Sequence, residues 1–305
     1  MQQGPILVTG AHRSGTTWVG KMLALAPGTG YAHEPFSPLT DPGLSPAPFD
    51  RFYTYVTAEN EARYLPGLRR TLAFAYDWRA QLPAVRTVRG AARTARDAAA
   101  FARARRRFAR PVMKDPIALL SAPWLHERFG MAVVLTVRHP AGFAGSLRRL
   151  DWSFRFETFL DDERLLRDRL GPFEAELREQ VRSPGDFVAQ VALLWRILYT
   201  QVDDYRRSFP EWAVVRHEDL SRDPAGGFET LYRGLGLPFT PGVAASILAH
   251  SAPAGPVRHP SAHEVRMDSA ATIESWRQRL SPGELDRLHE AVQDVSHRFY
   301  DDDEW

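Results

Sequence analysis

Five consecutive residues, Arg13, Ser14, Gly15, Thr16 and Thr17, combine a guanidinium, three hydroxyls and a backbone position without a Cβ. That combination suits an anion. With Gly10 opening the turn and Gly15 closing it, the backbone can approach a phosphate or sulfate oxygen without a side chain in the way. Other candidates lie further along the chain. Lys114 and Lys21 are the only lysines among 39 basic residues, which points to a position at 114 that arginine does not serve, the plainer reading being a lysine that merely ends a strand. A compact ammonium fits beside a single anionic oxygen where a guanidinium fork is too wide. Arg138 and Ser146 stand eight residues apart, a charged fork and a hydroxyl of which either alone means little. Glu34 is a candidate general base able to take a proton from a hydroxyl. The plainer reading of Glu34 is a surface glutamate before a turn, and the fallback base is His33, otherwise a packing or orienting residue.

Elements must bring these groups together. Pro5 to Thr9 reads as a strand, and Trp18, Met22 and Leu25 share a helical face with Val19 and Leu23 beside them. A strand turning tightly into a buried helix aims backbone N–H groups and a positive dipole end at one spot. Residues 29–36 read as a strand ending at Pro35, which sets Glu34 in the crevice at the carboxyl end of a parallel sheet. Residues 38–58 read as an ordered loop or lid, and 59–110 as largely helical through Leu65, Leu68, Leu72 and Tyr76. The Arg/Ala-rich part of that segment reads first as a solvated helix face. A basic rim for an anionic acceptor is the second reading and RNA binding the third. Arg110–Pro116 is a strand and Ile117–Phe129 a helix. Met131–Pro140 is continuously apolar, like a strand buried on both faces, and leads into a helix through Ser146. Trp152–Leu177 reads as a helical excursion that shapes an acceptor pocket. A long helix over Asp186–Phe209, a strand over Glu211–Leu220 and a helix over Phe228–Leu235 follow. After a loop at 251–272, Ser281-Pro-Gly-Glu284 caps a last helix. The acidic tail 301–305 reads as solvated.

The Gly10…Gly15 spacing is that of the nucleotide P-loop G-x-x-x-x-G-K-[ST], with Thr16 at the lysine position and the cation moved to Arg13. Gly-x-x-Arg-Ser-Gly-Thr-Thr-Trp resembles the 5′-phosphosulfate loop of sulfotransferases that use 3′-phosphoadenosine 5′-phosphosulfate (PAPS). The resemblance implies one α/β domain over residues 1–305. Its mostly parallel central sheet would be flanked by helices in a P-loop NTPase-like three-layer sandwich, with a helical or lid insertion at about 40–110. It implies in-line, metal-free transfer of a sulfuryl group to a hydroxyl or amine, leaving adenosine 3′,5′-bisphosphate (PAP). The acceptor class stays open among small molecules, carbohydrates and lipids. Arg13, Ser14, Gly15, Thr16 and Thr17 would hold the donor's 5′ end. Arg138 and Ser146 match the family's 3′-phosphate site and Lys114 the lysine at the sulfuryl group, and Arg13 and Lys114 would act in catalysis by stabilising charge on the bridging and sulfuryl oxygens. The Glu-Pro context of Glu34 is similar to that of bacterial and carbohydrate sulfotransferases, where a glutamate is the proposed base. Pro116 stands where hormone- and phenol-sulfating members place a histidine base. His217 replaces the tyrosine that commonly lies near the adenine, and Arg266, Asp268 and Ser269 are candidates for the last nucleotide contacts. The other readings are a P-loop small-molecule kinase, disfavoured by Thr16, and a nucleotide-binding protein without chemistry.

Composition bounds these readings. The chain has 305 residues, 44% hydrophobic and 25% charged, ordinary for a globular protein. No apolar run approaches bilayer length, so stable membrane insertion is not expected. The first residues lead straight into the expected strand, which is read as leaving no signal peptide. With no cysteine, disulfides and thiolate metal sites are excluded. The expected setting is the cytoplasm of a bacterium. A formal charge of +2 is too small to imply nucleic-acid binding, and no pattern specifies an oligomeric state.

Overall fold

The run from Pro5 to Thr9 forms β1 (Ile6–Gly10), wholly buried because every residue up to Gly10 is apolar or small. The other strands are β2 (Thr29–His33), β3 (Arg110–Lys114), β4 (Ala132–Val137) and β5 (Ala213–Arg216). This computed structural model describes residues 4–107, 109–251 and 273–305. The strands make one five-stranded sheet in the order β2-β3-β1-β4-β5. The fold is therefore α/β, a parallel sheet flanked by helices. β1 and β2 both pair parallel with β3, and the register sets Lys114 level with Val8 on one side and His33 on the other. No helix among the described residues is long and apolar enough to cross a membrane.

The chain divides into two compact units, Met1–Thr9 with Val19–Val134, and Gly10–Trp18 with Leu135–Trp305. In the first, Ile6, Leu7, Val112 and Met113 are fully buried, and Phe36, Phe49 and Tyr64 stack in series at centroid spacings of 4.1 and 4.8 Å. The helices Glu61–Leu72 and Val88–Arg106 occupy the segment expected to be helical. In the second, the helix Phe187–Ser208 packs along the helix Pro282–Ser296. The second of these helices starts with the expected capping box, in which Ser281 and Glu284 satisfy each other's backbone N–H groups.

Local geometry moves several expected boundaries. β2 stops at His33 because Glu34 takes a left-handed conformation, φ 44°. Asp115 accepts from Ile117 N, so the stretch after β3 opens as a 3-10 turn, Pro116–Ser121, before the helix Ala122–Phe129. β5 is short, and His217 opens the helix His217–Arg222 instead of lying in the strand, with Glu218 and Asp219 favouring that positive end. The tail is not simply solvated. Glu304 pairs with Arg216, and Trp305 packs against His139 and His289 at 4.6 and 4.2 Å.

Candidate functional site

The first helix, α1 (Thr16–Leu23), begins directly after the glycine-bracketed turn. Trp18, Val19, Met22 and Leu23 anchor it, and the N–H groups of its first turn have no partner within the helix. The turn is built from three positive φ angles: 146° at Gly10, 67° at Arg13 and 90° at Gly15. A Cβ at Gly10 would lie 2.4 Å from Thr136 O, and one at Gly15 would lie 2.6 Å from His217 Nδ1. Glycine is therefore required at both positions. Ser14, fully buried, donates to Ala11 O and shares a hydrogen bond of 2.6 Å with Thr136 Oγ1. Its hydroxyl is spent inside the loop, which locks the turn onto the end of β4. Thr16 is buried and Thr17 half-buried at the helix start.

Around this turn the second unit assembles a cationic cradle. Arg13 Nε donates to Ser146 Oγ at 3.1 Å, and Arg138 Nη1 donates to Arg13 O at 2.7 Å. Arg13, Arg138 and Ser146, spread over more than a hundred residues, thus form one cluster. The backbone beneath Arg138 is clamped on both sides. Its N–H donates to Tyr199 Oη at 3.0 Å and its carbonyl accepts from Trp195 Nε1 at 3.1 Å. The next N–H, of His139, donates to Glu218 Oε1 at 3.1 Å, and Glu218 Oε2 accepts from Tyr300 Oη at 2.9 Å. Burial pushes the Glu218 carboxyl up.

Two observations show that the cradle has unmet polar capacity. Arg138 Nε is buried without a hydrogen-bond partner. His217 is 3% exposed, and neither ring nitrogen has a partner. Burial, and then the charge of Arg138, push that imidazole down to about 3, so the ring is neutral with one donor and one acceptor. Its edge meets Trp18 at a centroid spacing of 5.8 Å. Two arginines, a hydroxyl and a glycine turn suit a ligand carrying more than one anionic group, and the neutral ring adds one donor and one acceptor beside them. On the other side of the turn, His12 packs on Trp152 at 4.2 Å. Trp152 lines a cavity of about 520 Å³ with Phe154, Phe187, Gln190 and Asp151. Arg148 forms its polar wall, lying 4.3 Å from the Phe187 ring and paired with Glu284.

The first unit holds the other expected residues. Lys114 is fully buried and its Nζ donates to Glu34 Oε1, while the Glu34 carboxylate stays partly exposed. A Cβ at Gly20 of α1 would lie 2.8 Å from Lys114 Cβ, so a glycine is what lets the helix cross the lysine stem. Lys21, on the same helix, is held low by burial and then by the charge of Lys114. His33 is exposed, with Nδ1 3.4 Å from Tyr31 Oη. Arg266, Asp268 and Ser269 lie outside the described residues.

Asp115 was missed in the sequence. Fully buried beside Lys114, it accepts from Phe36 N at 2.6 Å and Ile117 N at 3.1 Å. It thereby fixes the turn that carries Glu34, and burial pushes its carboxyl up to about 8. The Asp-Pro pair before a helical stretch was its available signal. No local signal marks Thr136, Tyr199 or Tyr300, whose contacts to the cradle span long stretches of chain.

A model described as Sulfotransferase family matches residues 5–241. Over 194 residues the chain is 28% identical to carbohydrate sulfotransferase 1 of Danio rerio, covering 61% of this chain and 40% of that protein. Over 176 residues it is 30% identical to carbohydrate sulfotransferase 1 of Mus musculus, covering 56% and 38%. The chain thus spans about 40% of the length of these curated relatives. Among solved structures, the sulfotransferase domain from the Synechococcus PCC 7002 olefin synthase aligns over 97% of this chain and 95% of its own, with 19% identity and a TM-score of 0.48.

Proposed function

The chain belongs to the sulfotransferase family, and from that premise we propose that it moves a sulfuryl group from PAPS to a hydroxyl or amine of a carbohydrate acceptor. The observation that carries the donor assignment is the cluster at the phosphate turn, where Arg13 bonds Ser146 and Arg138 bonds the Arg13 carbonyl. PAPS supplies the activated sulfuryl group. Arg138 and Ser146 hold the 3′-phosphate. Arg13 answers to both ends of the donor, since it already touches Ser146 and belongs to the turn. The turn's backbone N–H groups, with Thr16 and Thr17, receive the 5′ end, and His217 offers its neutral ring to the adenine.

In the proposed reaction Glu34 accepts the acceptor's proton and Lys114 meets the charge on the sulfuryl oxygens as the bond to the leaving phosphate breaks. The Lys114–Glu34 pair supports this division of labour, because each group is held in place by the other before substrate arrives. Protein cations meet the developing charge without a metal, so transfer is expected to persist in EDTA. A sugar ring is supported as acceptor by the kind of relative matched and by the cavity beside Trp152. Aromatic side chains line it together with Gln190 and Asp151, which suits a ring with one apolar face and hydroxyls at its edge.

The test is PAP formation by the purified protein with PAPS and a panel of saccharides, phenols and lipids. Acceptor-dependent PAP release with saccharides supports the reading. Release with phenols or lipids alone would reassign the acceptor, and phosphoryl transfer from ATP without any PAP release would replace the reading by a P-loop kinase.

A further inference from the structure

The helix Val88–Arg106 carries six arginines and one acid, Asp97. Arg89, Arg93, Arg96 and Arg103 recur at i, i+4, i+7 and i+14, so they form one stripe of about 21 Å at 1.5 Å per residue. All four are exposed, as are Arg79 and Arg86 just upstream. Thr94, Ala98 and Phe101 form the opposite, buried face, and Phe101 meets Phe74 edge-on at 5.4 Å. The stripe therefore faces outward because the other side is fastened. Arg93 pairs with Asp41 and Arg96 with Asp97. Arg86, Arg89 and Arg103 have no ion-pair partner among the described residues.

Exposed large apolar side chains lie just before this stripe in the chain and beside the partner of Arg93. Trp78 is 49% exposed, Leu82 63% and Val88 87%, and Leu39 is 82% exposed two residues before Asp41, the partner of Arg93. Trp78 and Leu82 are not the tips of a loose loop. Asp77 caps Ala80 N and bonds Gly43 O through its own N–H. Gln81 is buried and accepts from Gly43 N at 2.9 Å. The residues beside Trp78 and Leu82 are thus tied inward, which holds those two side chains in water.

We infer that this face of the first unit docks on an anionic lipid surface. A soluble polyanion would satisfy the arginines and leave Leu39, Leu82 and Val88 in water. A membrane interface takes both sets: arginine stems run along the apolar layer with their heads among phosphates, a tryptophan sits at headgroup depth, and aliphatic side chains reach below it. The attachment is peripheral and independent of the sulfotransferase reading, and it weakens with salt because the arginine contribution is screened.

The experiment is co-sedimentation of the full chain with vesicles of phosphatidylcholine alone or mixed with phosphatidylglycerol, with melting temperature as the control on folding. Binding is expected only with phosphatidylglycerol present. It should fall roughly a hundred-fold in Arg86→Gln/Arg89→Gln/Arg103→Gln and at least about ten-fold in Trp78→Ser/Leu82→Ser/Val88→Ser. Tryptophan quenching by brominated lipid should drop between the native chain and Trp78→Phe, a readout that needs no destabilising change. Absence of binding to the mixed vesicles overturns the inference. So does unchanged binding by the apolar triple variant with full competition by heparin, which would make the stripe a site for soluble polyanions.

Discussion

Glu34 and Lys114 hold each other in a turn that neither specifies alone. The carboxylate is partly exposed, the ammonium is fully buried, and Asp115 fixes the chain between Glu34 and Phe36. Glu34→Gln keeps the shape and a carbonyl for Lys114 but cannot accept a proton. Turnover in a single-turnover assay should fall by roughly 10²–10⁴-fold while PAP affinity stays near that of the native protein. His33→Asn should cost about ten-fold or less, since the ring is exposed and touches Tyr31. A native-like rate for Glu34→Gln with an inactive His33→Asn would transfer the role to His33. Glu34→Ala removes the partner of a buried ammonium, and denaturant unfolding should show a loss of about 1–3 kcal/mol beyond that of Glu34→Gln.

The phosphate turn shows what an element adds to its residues. Gly15→Ala would force a Cβ into a backbone with φ 90° and to within 2.6 Å of His217 Nδ1. Calorimetry should report at least about ten-fold weaker PAP binding, with a stability loss of about 1–3 kcal/mol by denaturant unfolding. Native-like PAP affinity would show that the turn's backbone is not the donor's seat. This element was legible in the sequence because its signals are local: glycine spacing, hydroxyl density and the helix behind it. The cap at Ser281 was legible for the same reason. The contact of Arg13 with Ser146 was not, because 133 residues separate them and the spacing of Arg138 from Ser146 alone does not bring in Arg13. The apolar run from Glu211 predicts a strand through His217. The two acids after it open a helix instead, and the ring comes to rest on the glycine turn. The charge of the tail predicts solvation, but a tryptophan at its end and an arginine opposite decide its place.

At the scale of the whole molecule, buried histidines make stability depend on pH. His139 and His217 are held down to about 3, in both cases first by burial. Between pH 6.5 and 3 the unfolded chain therefore binds more protons than the folded one. Their stabilising effect is complete above about pH 6.5 and is lost as pH falls, by up to about 1.4 kcal/mol per pH unit for each ring. Melting temperature should drop steadily from pH 7 to pH 4, and the slope should be shallower in His217→Asn. An identical slope would mean that the ring titrates normally in the fold. The same second unit carries the donor assignment, since Tyr199, Trp195 and Glu218 bond the backbone of Arg138 and His139 and Tyr300 holds Glu218. A clamp of that kind makes sense if Arg138 must meet a phosphate without reorganising. Titration calorimetry of PAP against adenosine 5′-phosphate, on the native chain and on Arg138→Ala, tests this most directly. The native protein should prefer PAP by about ten- to a hundred-fold, the worth of a charge-assisted contact of roughly 1.5–3 kcal/mol, and Arg138→Ala should lose most of that preference. Equal affinity of the native protein for the two nucleotides would contradict the account.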